Sequence, residues 1–175
     1  TKVSTRLFWG FGSLLILLAL VVTLGVARLA SINESLQRVT HDRAPKVEKL
    51  HDVALRNMDN TRIVRDVILQ TDDAISATYQ ASLNQNRAAI SAALNALRAE
   101  LTEPDEQRLL DQLMAARATY LTYVDEALRL GLANQLEEAT QALYGSGYKT
   151  QDALFSAIKD LQDLQKSKME AAASE

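Results

Sequence analysis

The hydrophobic pattern of the chain changes once, near Ala27. From Phe8 to Ala27 the run FWGFGSLLILLALVVTLGVA carries no charge, and roughly 20 such residues form a helix long enough to cross a hydrocarbon core of about 30 Å. Beyond it, apolar residues recur in steps of three and four, the signature of packed helices. A first helix is expected from about Ser31 to Gln70. Ile32, Leu36 and Val39 lead it, Ala44-Pro45 interrupts it, and Leu50, Ala54, Val64 and Ile68 form a seam with Asn57 and Thr61 in the intervening slots. Thr71-Asp72-Asp73 supplies a turn and a cap for a second helix marked by Leu83, Asn86, Ile90, Ala93, Leu97 and Leu101. Thr102-Glu103-Pro104-Asp105 breaks the chain again, with Thr102 as the expected cap, and Leu109, Leu113, Ala116, Tyr120 and Tyr123 mark a third helix that Gly131 should end. The last helix reads as one unbroken heptad through Leu136, Thr140, Leu143, Gly147, Thr150, Leu154, Ala157, Leu161 and Leu164. Short connections make neighbours antiparallel. The expected fold is all-α: an antiparallel up-down-up-down four-helix bundle preceded by one transmembrane helix. Its divisions are residues 1-7 as a cytoplasmic N-terminus, 8-29 as the transmembrane helix and 30-175 as the extracytoplasmic bundle.

Charge fixes the orientation and removes whole classes of function. Lys2 and Arg6 precede the apolar run, which places the N-terminus in the cytoplasm and Arg28 onward outside. A cleaved signal peptide fits less well, because its apolar region is usually about 7–15 residues and no small-x-small site follows. The closing residues KMEAAASE read as mid-helix, ahead of a second span. A net charge of -3 without a basic run argues against nucleic-acid binding. With no cysteine there is no disulfide framework or thiolate chemistry. His41 and His51 belong to no Glu-x-x-His repeat, and no catalytic triad or phosphate loop occurs. Neither enzymatic activity, a metal nor a cofactor is expected.

The candidate chemistry lies in LRNMDNTRIVRDVIL, Leu55 to Leu69, which carries Arg56, Arg62 and Arg65. At about 100° per residue, Arg62 and Arg65 are about 60° apart while Arg56 lies about 180° from Arg65. One helix cannot aim all three at one ligand, but a two-fold dimer could pool them twice. Counted from the distal tip, Arg62 and Arg65 fall near the level of Tyr120, Tyr123, Tyr144, Tyr148 and Thr150. Guanidinium groups bind carboxylates bidentately, and tyrosine and threonine hydroxyls can complete the hydrogen bonds. The competing reading has the arginines paired with Asp59, Asp66 or Asp72 on a solvated face and the tyrosines as core spacers. Gly145 and Gly147, each costing about 1 kcal/mol inside a helix, suggest close approach by a ligand or another helix. Thr61 is a register specifier on the seam and a lesser ligand candidate.

The basic-flanked span, the entry segment HDRAPKVEKL, the arginine-bearing NMDNTRIVRDVIL and the final heptad helix together resemble the methyl-accepting chemotaxis proteins, specifically their periplasmic four-helix-bundle sensor domain. The resemblance covers essentially the whole chain. It implies a homodimer through the first helix in the bacterial inner membrane, with a second span, a HAMP linker and a signalling rod outside this chain. It also implies ligand carboxylates held by arginines of both subunits. Arg56 matches the arginine of one subunit, Arg65 that of the other, and Thr61 or Arg62 falls at the middle position, with Tyr148, Lys149 and Thr150 near the last-helix contacts. The expected ligand is a small organic anion, a di- or tricarboxylate such as malate or citrate, read out as a small helix shift. The alternatives are an amino-acid or aromatic-acid sensor, a kinase or cyclase output, or a stalk without a ligand.

Overall fold

The computed structural model describes residues 2–70 and 72–174. Among these residues six α-helices follow one another: α1 Lys2–Gln37, α2 Ala44–Leu69, α3 Asp73–Glu100, α4 Pro104–Leu132, α5 Leu136–Tyr144 and α6 Ser146–Ser174. A π-helical turn, Arg38–Arg43, joins α1 to α2 without a break, and the Ala44 N–H reaches back five residues to the Val39 carbonyl. The expected interruption at Pro45 is therefore a widened turn. Proline has no N–H to donate and its ring crowds the carbonyl four residues back, and one extra residue in the turn relieves both problems while the helix continues. From Phe8 to Leu69 the helix is continuous over 62 residues, and it is the one helix among the described residues long and apolar enough to cross a membrane. Its apolar side chains from Phe8 to Leu36 stand exposed.

The bundle consists of α2, α3, α4 and the α5–α6 arm. α2 lies most extensively on α3 and α4 on α6, whereas α3 and α6 are the diagonal pair, with no close backbone approach among the described residues. Leu50, Val53 and Val64 from α2 meet Leu83, Ile90, Leu94 and Leu97 from α3, Leu110, Leu113 and Val124 from α4, and Leu154, Ile158 and Leu161 from α6. Each such side chain contributes about 1.5–3 kcal/mol by leaving water. Asn57, on the same seam, is buried and donates from Nδ2 to the Val53 carbonyl at 2.7 Å.

The junctions depart from the sequence reading in instructive ways. Asp72 caps α3, its Oδ1 accepting from the N–H groups of Ala74 at 2.8 Å and Ile75 at 3.1 Å; Thr71 lies outside the described residues. Glu103, not Thr102, precedes α4, because Pro104 with its fixed φ takes the first helical position. The Glu103 N–H donates to Glu106 Oε2 at 3.3 Å. Gly131 does not end α4. The helix runs one residue further and Asn134, at φ 58, makes the left-handed exit, with Asn134 N–H on the Gly131 carbonyl and Gln135 N–H on the Leu130 carbonyl. Gly131 serves packing instead: a Cβ there would lie 2.8 Å from Ile68 Cγ1 and 3.2 Å from its Cα. The last heptad is broken too. At Gly145 (φ -81, ψ -110) α5 gives way to α6, and a Cβ on Gly145 or Gly147 would come within 2.6 Å or 2.5 Å of the Gln141 or Ala142 carbonyl. The apolar spacing continues across the break because both helices face the same core, so periodicity alone conceals it.

Candidate functional site

α2 carries two seams. The inner one runs through Leu50, Val53, Asn57, Asn60, Val64 and Val67, all buried. The outer one runs through His51, Leu55, Met58, Arg62, Arg65 and Leu69 with the same alternation of steps, and all of these are exposed. Arg62 and Arg65 therefore face outward together. Arg56 faces α3, with Nε on Asp52 Oδ2 at 2.7 Å and Nη1 on Asn86 Oδ1 at 3.1 Å. Arg62 lies between two acids, Nη2 donating to Asp59 Oδ1 at 2.9 Å and Nη1 to Asp66 Oδ2 at 2.6 Å. The Asp59 hydrogen bond, ahead of the nearby carboxylate charges, raises its guanidinium pKa. Among the described residues, Arg65 makes no hydrogen bond or ion pair.

Arg65 lines a groove of about 140 Å³ at the tip, together with Ile68 and Leu69 of α2 and Thr140, Leu143 and Tyr144 of α5. The close approach at Gly131 and the break at Gly145 position the two walls. Thr140 and Leu143 were legible only as heptad positions, because nothing local marks them as groove residues.

The remaining members of the expected layer are spread over different surroundings. Gly131 sits beside Ile68 in the parallel pair α2 and α4, so Arg65 is level with Leu128 and Tyr120 lies about 12 Å lower. Tyr120 is buried and its hydroxyl has no partner. Burial pushes that phenol up to about 12, against the smaller opposing pull of the Arg87 and Arg65 charges. Tyr123 packs beside Gly147. Tyr148 is exposed, and Thr150 and Thr61 bond back to the carbonyls of Gly147 and Met58, each at 2.7 Å. Of the expected residues, the structure brings Arg65 and Tyr144 to one groove. Sequence reasoning passed over a second basic pair: half-buried Arg117 donates to the Arg87 carbonyl at 3.2 Å and Ser91 Oγ at 3.0 Å, and burial together with the Arg87 charge lowers its pKa.

The opposite end of the bundle, its base, is a saturated ionic network. Arg43 in the π turn donates to Glu106 Oε1 at 2.9 Å and to Glu103 Oε1 at 3.0 Å. Gln165 of α6 donates to the same Glu106 oxygen at 2.9 Å, and Lys168 reaches Glu103 at 2.8 Å and Asp105 at 2.9 Å. Glu106 is 1 % exposed and Gln165 fully buried. Hydrogen bonds from Lys168 and then Arg43 hold Glu103 below the usual carboxylate range, and Lys168 does the same for Asp105. Burial would lower Arg43 and Lys168, but their acidic partners outweigh it and raise both. These acids read in sequence only as favourable first-turn charges of a helix.

The chain is thus a bundle of long helices continuous with one helix long and apolar enough to cross a membrane. The family described as "Four helix bundle sensory module for signal transduction" matches residues 1–175, and the chain belongs to it, the four-helix-bundle sensory module of methyl-accepting chemotaxis proteins. No curated protein matches the chain closely enough to count as a relative. The module's role in the family is chemoreceptor signal transduction, a sensory and not a catalytic one.

Proposed function

We propose that this chain is the extracytoplasmic part of a chemoreceptor in the bacterial inner membrane, with residues 8-29 spanning the bilayer and residues 30-175 in the periplasm, and that it senses a small organic acid in the tip groove. The observation that carries this reading is Arg65, a guanidinium without an internal counter-charge at the wall of a groove. Arg56 and Arg62 are already occupied by Asp52, Asp59 and Asp66, so one bundle offers a ligand one unneutralised arginine of the three. A di- or tricarboxylate such as malate or citrate then needs a second subunit. The outer seam supports such a homodimer, since Leu55, Met58 and Leu69 are 51 %, 57 % and 69 % exposed beside Arg62 and Arg65. A second reading is an aromatic or branched monocarboxylate filling one groove, favoured by Ile68, Leu69, Leu143 and Tyr144 along its walls.

A ligand lodged between α2 and α5 bears on α6 through Gly145, and a slide of about 1–2 Å is the scale such interfaces use. It shifts the equilibrium only by its differential affinity for the two packings. The HAMP and signalling regions that would read the shift lie outside this chain. The test is calorimetry of the full chain in nanodiscs against a panel of organic acids and amino acids, with sedimentation in detergent. Saturable carboxylate binding with a shift to dimer supports the shared site, and binding without a shift supports the single groove. Indifference to every acid contradicts the reading and leaves a stalk.

A further inference from the structure

A π turn holds one residue more than an α turn. Closing Arg38–Arg43 into an α turn would rotate α1 against α2 by about 100° and displace it axially by about 1.5 Å. The structure names what opposes that closure. Pro45 withholds a donor on one side, and Arg43, the last residue of the turn, is held by Glu103 and by the buried carboxylate of Glu106. Glu106 is also the seat of α6, through Gln165 Nε2 at 2.9 Å and Lys168 Nζ at 3.4 Å. One buried carboxylate thus touches both the helix that leaves the bundle as α1 and the helix that returns beside it.

We propose that the π turn and Glu106 form a two-state register switch. With Gln165 and Lys168 seated on Glu106, Arg43 is fixed and the turn stays open. When α6 slides, Gln165 and Lys168 draw the Glu106 carboxylate with them, Arg43 is released, and the turn closes and rotates α1. A movement along the axis of α6 becomes a rotation of the helix beside it. The output across a bilayer rests on the reading of residues 8-29 as a span; the switch itself belongs to the base of the bundle and its test needs no ligand, so the two can fail separately.

Because the chain has no cysteine, spin labels can be placed by Asn33→Cys on α1 and Gln107→Cys on α4, both exposed. Pulsed electron-electron distance measurements on the full chain in nanodiscs, diluted with unlabelled chain, then report the phase of α1. Glu106→Gln removes the charge at near-constant shape, and Gln165→Leu removes the α6 partner while leaving Arg43 and Glu106 paired. Glu106→Gln, which takes the buried charge from Arg43, should add a second distance population displaced on the order of 5 Å, since a quarter-turn carries a side chain across much of a helix 10–12 Å wide. Gln165→Leu, with Arg43 still paired to Glu106, should keep the single distance of the parent. Deleting Thr40, an exposed residue of the turn, removes the extra residue while keeping α1 and α2 in phase, and should abolish the second population in Glu106→Gln. A single unchanged distance in Glu106→Gln, with helical content intact, overturns the proposal, as does a second population in Gln165→Leu or one that survives the deletion.

Discussion

The two ends of the bundle treat charge in opposite ways. At the base, Arg43 and Lys168 are shared among Glu103, Asp105 and Glu106, around a carboxylate that is only 1 % exposed. At the tip, Arg65 borders a groove without a counter-charge, and the chain that forms the other wall is broken by a glycine. A closed network resists rearrangement until several contacts are lost together, whereas an unneutralised guanidinium at a jointed wall gains by meeting an anion. In the proposed reading the tip is completed by a ligand and the base is displaced as a unit.

Breaking the base should have the largest effect. Glu106→Ala takes from Arg43 its buried counter-charge, leaves Gln165 Nε2 buried without its acceptor and opens a buried site, while Glu103 and Asp105 still hold Lys168; urea unfolding should show a loss of about 3–5 kcal/mol, and a loss below about 1 kcal/mol would place the network among ordinary surface pairs. Next comes the joint between α2 and α4. Gly131→Ala puts a methyl against the Ile68 side chain and backbone, and should cost about 1–3 kcal/mol by the same measurement.

The pH dependence sharpens the contrast. Glu103 and Asp105 titrate below their ordinary values of 4.5 and 3.8 because of Lys168. The stability they contribute is therefore full above those values and is lost as pH falls through the lower folded-state ones. Lys168→Met should be less stable than the parent at pH 7, and the gap between their urea midpoints should narrow as pH falls from about 4.5 toward 2. A gap independent of pH would detach Lys168 from these acids. The smallest effect is in the middle of the bundle: Tyr120→Phe removes an unpartnered buried hydroxyl and should change stability by no more than about 1 kcal/mol, in the favourable direction. It should also abolish an ionisation at about 12 in the ultraviolet titration.

What the sequence disclosed follows from how local each signal is. Leu50, Val64, Leu154 and Leu161 announce the core because a buried helix face repeats every turn. The acids that hold Arg62, Asp59 and Asp66, were visible at their i,i+3 and i,i+4 positions, whereas Asp52, the partner of Arg56, was passed over. Glu106 gave no such sign, since its partners Arg43 and Gln165 stand 63 and 59 residues away and only the tertiary fold joins them. The tyrosine layer dispersed because counting from the tip assumes helices that end level and run unbroken, and Gly145 and the extension of α4 past Gly131 defeat both assumptions. The π turn was read as a break because Pro45 marks a missing donor but not how the chain accommodates it.

The central claim, that Arg65 and not its neutralised neighbours receives the ligand, is tested most directly by calorimetry of Arg65→Ala beside Arg62→Ala, using the organic acid that binds the parent best. Arg65→Ala should lose about 2–5 kcal/mol of binding free energy while its unfolding midpoint without ligand stays within about 0.5 kcal/mol of the parent. Arg62→Ala should bind within about tenfold of it. Equal affinity of parent and Arg65→Ala, or a larger loss in Arg62→Ala, would contradict the account.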